Sequence, residues 1–151
     1  MSEHKFEDEL NSHGVLVYTN VGTSMMPLIG NHRDILTISK RPEGRLKKYD
    51  VAFFRRGEKY ILHRVIRVKK DGYNIVGDHQ YCIERNVKEE QILGVLTKVV
   101  RDGKEIPLHG FRYWVYVRLW CWFYPVRALI LRFLTYSGII IRRIKSGKKS
   151  K

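Results

Sequence analysis

At 151 residues the chain is the size of one domain with an appendage, large enough for a single hydrophobic core. Its 29 Lys and Arg against 15 Asp and Glu give a formal net charge of +14, which points to an anionic partner, either nucleic acid or a membrane surface. Two cysteines, Cys82 and Cys121, exclude a disulfide framework, and no His/Cys cluster has metal-ligand spacing, so neither a metal nor another cofactor is expected.

Residues 1–13 read as a polar N-terminal segment. Met1 to Ser12 is acidic and polar, without the basic-then-apolar pattern of a secretory signal, and only Phe6 to Leu10 suggests a short helical turn. Gly14 opens a first strand, Val15 to Thr19. Gly22-Thr23-Ser24-Met25-Met26-Pro27 then forms a turn between strands, with the proline fixing the exit and the serine hydroxyl held away from the local backbone. Ile35, Leu36 and Ile38 make Asp34 to Ser39 a second strand, followed by a basic loop with the turn composition Pro42-Glu43-Gly44.

Tyr49 to Arg55 is a third strand, turned at Arg56-Gly57-Glu58. Lys59 to Lys69 alternates, with Tyr60, Leu62, Arg64, Ile66 and Val68 on one face and Ile61, His63, Val65 and Arg67 on the other. Asp71-Gly72 is a hairpin signal that returns the chain through Tyr73 to Val76, ending at Gly77-Asp78. Ile92 to Arg101 is another strand, turned by Asp102-Gly103 into Lys104 to Leu108. Closely spaced short strands predict a mainly β domain over 14–110, a coiled or barrel-like sheet. Helices are expected over 111–144, and 145–151 as a disordered basic tail.

Ser24 carries the chemical question. A serine hydroxyl is a weak nucleophile at neutral pH, so a nucleophilic role needs a base within hydrogen-bond reach and a third group to orient it. His63, flanked on its face by Ile61 and Val65, is the candidate base. Asp78 or Glu84 is the candidate third group. On residue types alone the structural reading is stronger: a plain turn, and a histidine satisfied within a sheet. Arg64 is either a sheet-surface charge or an anchor for a nearby acid. Met25 and Met26 are apolar packing or the lining of a substrate groove. His13, His32, His79 and His109 fall in loops and turns.

The order of the pieces changes the balance. Ser24-Met25-Met26-Pro27, Tyr49-Asp50-Val51-Ala52-Phe53-Phe54, Leu62-His63-Arg64-Val65-Ile66, Gly77-Asp78 and Ile92-Leu93-Gly94-Val95 follow one another along the chain. Over about residues 15 to 101 this resembles the signal peptidase I family, in the archaeal, endoplasmic-reticulum and Gram-positive branch where histidine replaces the bacterial lysine base. The resemblance implies the β fold shared with LexA-type repressors and a serine endopeptidase that cleaves signal or leader peptides. Ser24 would attack the scissile carbonyl, and His63 would take its proton and hand it to the leaving amine. Gly77-Asp78 matches the family's Gly-Asp pair, and Glu84 stands where the family's second acid, the triad acid, follows; the better motif match makes Asp78 the first choice for the orienting acid and Glu84 the close second. The Ser24 N–H would serve the oxyanion. The chain departs from the family in carrying Gly22-Thr23 where Ser-Gly is common, which removes a side-chain oxyanion donor at position 22. No Ala-Gly bond occurs in the chain, which argues against a self-cleaving LexA-type repressor.

The positive charge belongs to the tail. From Ile106 onward there are ten Lys or Arg and no acid. Tyr113 to Ile144 is dense in aromatic and aliphatic residues and is broken by Pro125. On a helix starting at Val126, the residues Arg127, Arg132, Thr135, Arg142 and Arg143 share an arc of roughly 160°, opposite Leu129, Ile130, Phe133, Leu134, Ile140 and Ile141. This pattern predicts a helix lying in the interface of an anionic membrane. A spanning helix is the second choice, since burying Arg132 costs about 2.5 to 3.5 kcal/mol; a helix packed on the β domain is the third. The expected partners are thus a peptide or preprotein substrate and an anionic membrane surface, with localisation at the membrane. Nucleic acid is the less favoured partner. The rival functions are a non-catalytic basic β domain binding nucleic acid or membrane, and an inactive peptidase-like subunit.

Overall fold

The computed structural model describes residues 4–147, and side chains over 6–136. The fold is mainly β with a helical appendage. Helix α1 (His4–His13) precedes eight strands: β1 (Val15–Thr19), β2 (Asp34–Lys40), β3 (Val51–Arg56), β4 (Lys59–Lys69), β5 (Gly72–Val76), β6 (Glu84–Val87), β7 (Ile92–Arg101) and β8 (Lys104–Ile106). Helices α2 (Gly110–Trp122) and α3 (Tyr124–Gly147) follow. The strands form one antiparallel sheet in the order β1-β2-β7-β3-β4-β5-β6, with β8 paired to β7.

The centre of the sheet is covered on both faces. Val51, Phe53 and Leu62 pack with Leu16, Leu36, Ile38, Leu96 and Val99 on one side. Ala52, Phe54 and Val65 pack with Tyr73, Ile75, Val87 and Ile92 on the other. This explains why Val51-Ala52-Phe53-Phe54 is an unbroken apolar run, since alternation is expected only where one face meets water. Register shifts at Thr37/Ile38, Phe53/Phe54 and Val65/Arg67 bend the sheet, as extra residues in one strand of a pair do. The curl brings Tyr18 of β1 to Phe53 of β3, with ring centroids 6.1 Å apart, although two strands separate them in the sheet order.

The N-terminal segment is more than a polar lead-in. All of His4–His13 is helical, and Phe6 packs on Tyr18, Phe53 and Tyr60, while Leu10 is buried in the core. Gly14 ends the helix in the left-handed region at φ 71°, its N–H donating to the Leu10 carbonyl at 3.0 Å. Strand β6 and the 3-10 turn Glu89–Gln91 carry no alternation that would announce them. Helix α3 runs through Gly147, three residues into the segment expected to be disordered; residues 148–151 lie outside the described residues.

Candidate active site

The turn between β1 and β2 holds Ser24 by a web of short hydrogen bonds. The Asn20 side-chain amide donates to the Gly22 carbonyl at 3.0 Å, and the Gly22 N–H donates to Asn31 Oδ1 at 2.7 Å. Met25, Leu28 and Ile29 are buried in the core and anchor the turn, while Met26 is exposed and Ser24 is half-buried. At the far end, Arg101 grips the Asp34 carboxylate with Nε and Nη2 at 2.9 and 2.6 Å and also donates to the Leu28 carbonyl at 3.0 Å. The Arg101 hydrogen bond chiefly holds the Asp34 carboxyl at about 2, down from 3.8, with burial opposing and the Gly30 N–H assisting. Among the described residues the Ser24 N–H has no hydrogen-bond acceptor, so it is free for a ligand oxygen.

His63 lies in mid-β4 and is buried, with the Phe54 ring 6.1 Å away. Its Nδ1 is 2.8 Å from Glu84 Oε1, and the second oxygen of Glu84 accepts from Arg56 Nη1 at 2.8 Å. Burial pushes the Glu84 carboxyl up, but His63 and Arg56 together outweigh it and hold the group below the usual carboxylate range. A carboxylate at Nδ1 selects the tautomer with its proton there and leaves Nε2 as a base.

Asp78, the first choice for the orienting acid, is elsewhere. Arg64 Nε and Nη2 hold its two oxygens at 2.8 and 2.6 Å, and both side chains are buried. Strand register gives the reason. Arg64 faces Val76 across the β4–β5 ladder, so Asp78, two residues further, falls on the Arg64 face, and Gly77 falls opposite His63. Val65 faces Ile75, and Ile75 faces Glu84, which puts Glu84 on the His63 face. Arg64 is therefore the buried anchor of an acid rather than a surface charge.

Gly77 brings the two halves together. A Cβ added there would lie 2.6 Å from the Ser24 carbonyl oxygen and 3.0 Å from His63 Nε2, so the serine turn and the free imidazole nitrogen converge on one point. The His79 N–H donates to the same Ser24 carbonyl at 2.7 Å. Ser24 and His63 line one cleft of about 840 Å³, together with Val17, Thr19, Ile61 and Gln80. Among the described residues the Ser24 hydroxyl and the imidazole share no hydrogen bond. Among the described residues strand β1 pairs with β2 alone, which leaves the backbone of its other edge unpaired beside the cleft.

Helix α2 packs on the domain through residues spaced three and four apart. Tyr113 accepts from Arg64 at 3.1 Å, Tyr116 donates to Asp78 Oδ2 at 3.1 Å, and the Trp120 indole donates to the Asp78 carbonyl at 2.9 Å. That spacing was present in the sequence, yet the aromatic density masked it as a membrane signal. The outward side mixes apolar and basic residues: Phe111, Trp114, Leu119 and Trp122 are exposed beside Arg112 and Arg118, as are Leu129, Ile130, Phe133 and Leu134 beside Arg132 on α3. Among the described residues no helix is long and apolar enough to cross a membrane. The side chains of Ile140, Ile141, Arg142 and Arg143 lie outside the described residues. Sequence reasoning also missed Arg56, which reads as a turn residue, and Gln80, which sits in a loop without a motif.

Compared with known proteins, the chain matches no family model and no curated protein sequence.

Proposed function

We propose that the protein is a serine endopeptidase of the signal peptidase I type, acting on signal or leader peptides at an anionic membrane surface. Ser24 is the nucleophile, His63 the general base and Glu84 the acid that orients it. The observation that carries this reading is the hydrogen bond from His63 Nδ1 to Glu84, with Nε2 left free on the side where Gly77 meets the Ser24 turn.

In the reaction, His63 Nε2 takes the hydroxyl proton as Ser24 Oγ bonds to the scissile carbonyl carbon. The Ser24 N–H stabilises the oxyanion, and the imidazolium returns its proton to the departing amine. Water then repeats the sequence on the acyl-enzyme and releases the acid. The open edge of β1 suits an extended peptide pairing by main-chain hydrogen bonds, with its side chains alternating into the cleft. The exposed aromatic and aliphatic residues of α2 and α3, in a tail without acids, support docking on anionic lipid.

The test is cleavage of a signal-peptide-like substrate by the purified full-length protein with anionic lipid present. Ser24→Ala and His63→Ala should each lower turnover by about 10³-fold or more while unfolding as the parent does. Unchanged turnover in either variant ends the proposal, and tight peptide binding without cleavage by the parent would indicate a non-catalytic subunit instead.

A further inference from the structure

Asp78 sits between two residues that both touch the nucleophile turn: Gly77 abuts the Ser24 carbonyl and His63 Nε2, and the His79 N–H donates to that carbonyl at 2.7 Å. From inside, Arg64 holds the Asp78 carboxylate by two short bonds. From outside, α2 closes the grip. The Tyr116 hydroxyl completes the carboxylate at 3.1 Å and the Trp120 indole N–H takes the main-chain carbonyl at 2.9 Å. These two donors stand one helical turn apart, with ring centroids 5.7 Å apart, and the Arg127 guanidinium backs the Trp120 ring at 4.9 Å. Three residues after Asp78, the Tyr81 carbonyl accepts from the Tyr124 hydroxyl at 2.6 Å, so the loop is held at a second point by α3.

We propose that Tyr116 and Trp120 are positioning residues of the catalytic centre. By gripping Asp78 they press the Gly77–Gln80 loop against the Ser24 turn and so set how closely the nucleophile approaches His63. The appendage that reads as a membrane anchor is then also part of the active-site frame. The kinetic consequence rests on the Ser24–His63–Glu84 reading, whereas the clamp itself does not.

Tyr116→Phe removes only the hydroxyl donor, while Trp120→Phe removes the indole N–H together with the fused five-membered ring, so full-length single and double variants are compared with the parent for turnover and for amide exchange by NMR. The double variant should lose about 10- to 100-fold in kcat with KM within about twofold, because misplacement of a bound nucleophile slows chemistry rather than binding. Exchange of the His79 amide should quicken by about tenfold while the amides of β7 are unchanged. An unchanged kcat and an unchanged His79 amide overturn the proposal. So does faster exchange spread equally over His79 and β7, which marks plain packing. Should the parent cleave nothing, the endopeptidase reading fails, and the His79 amide alone decides the clamp.

Discussion

His63 Nδ1 and Glu84 Oε1 stand 2.8 Å apart, while the Asp78 carboxylate is bound to Arg64 on the opposite face of β4. Two acids that look equivalent along the chain thus have separate tasks. Glu84→Gln keeps the shape but accepts the wrong tautomer, so turnover should fall by about 10²- to 10⁴-fold with little loss of stability. Asp78→Asn leaves the Arg64 guanidinium buried without its counter-charge, and unfolding free energy should drop by about 3 to 5 kcal/mol. Denaturant unfolding and cleavage rates on both variants check the division; equal stability losses would contradict it.

Gly77 is required by space and not by backbone angle. In Gly77→Ala the new methyl meets the Ser24 carbonyl at 2.6 Å and His63 Nε2 at 3.0 Å, so the turn must move away from the base. A stability loss of about 1 to 3 kcal/mol is expected, together with loss of turnover exceeding what that instability explains. The check is activity measured at a temperature where the variant remains folded by circular dichroism.

Acid should unfold the protein through its paired carboxylates. Asp34 is held at about 2 by Arg101, against 3.8 normally, and Glu84 is also lowered, so between these limits the unfolded chain binds more protons than the folded one. Both contributions are present in full above the ordinary carboxylate range and are lost as pH falls through it, for Asp34 down to about 2. Unfolding free energy should therefore decline from about pH 5 toward pH 2, and Asp34→Asn should flatten part of that slope while costing about 2 to 3 kcal/mol at neutral pH.

The outward side of α2 and α3 should bind anionic vesicles more strongly than zwitterionic ones, and salt should weaken the binding. Arg118, whose guanidinium lies 4.0 Å from the exposed Trp114 ring and has no carboxylate partner among the described residues, is the local test. Arg118→Gln should weaken partition by about fivefold, near 1 kcal/mol, and Trp122→Ala should weaken binding to both vesicle types. Salt-dependent binding to single-stranded nucleic acid with no preference for anionic vesicles would favour the nucleic-acid reading instead.

The parts of the fold governed by local rules were legible. Lys59–Lys69 and Ile92–Arg101 are observed with the bounds that alternation predicts, and Asp102 and Gly103 both take positive φ as a tight hairpin requires, whereas the other hairpin turns one residue earlier than its Asp71-Gly72 signal, at Lys70-Asp71, with Gly72 paired to Lys69 in the strand. What depends on pairing across the chain was not. The acid beside His63 is fixed by the β4–β5 and β5–β6 registers, the latter interrupted between Tyr73 and Ile75, and short β6 has no period of its own. The contacts of Tyr116 and Trp120 with Asp78 were hidden because an amphipathic aromatic helix looks alike whether its inner face meets lipid or protein.

If Ser24 is a nucleophile driven by His63, an activated peptide ester should acylate it, which intact-protein and peptide mass spectrometry would read out. A single acyl adduct on Ser24 is expected, formed about 10³-fold or more slowly in His63→Ala and absent from Ser24→Ala. An adduct elsewhere, or acylation of Ser24 at the parent rate without the imidazole, would contradict it.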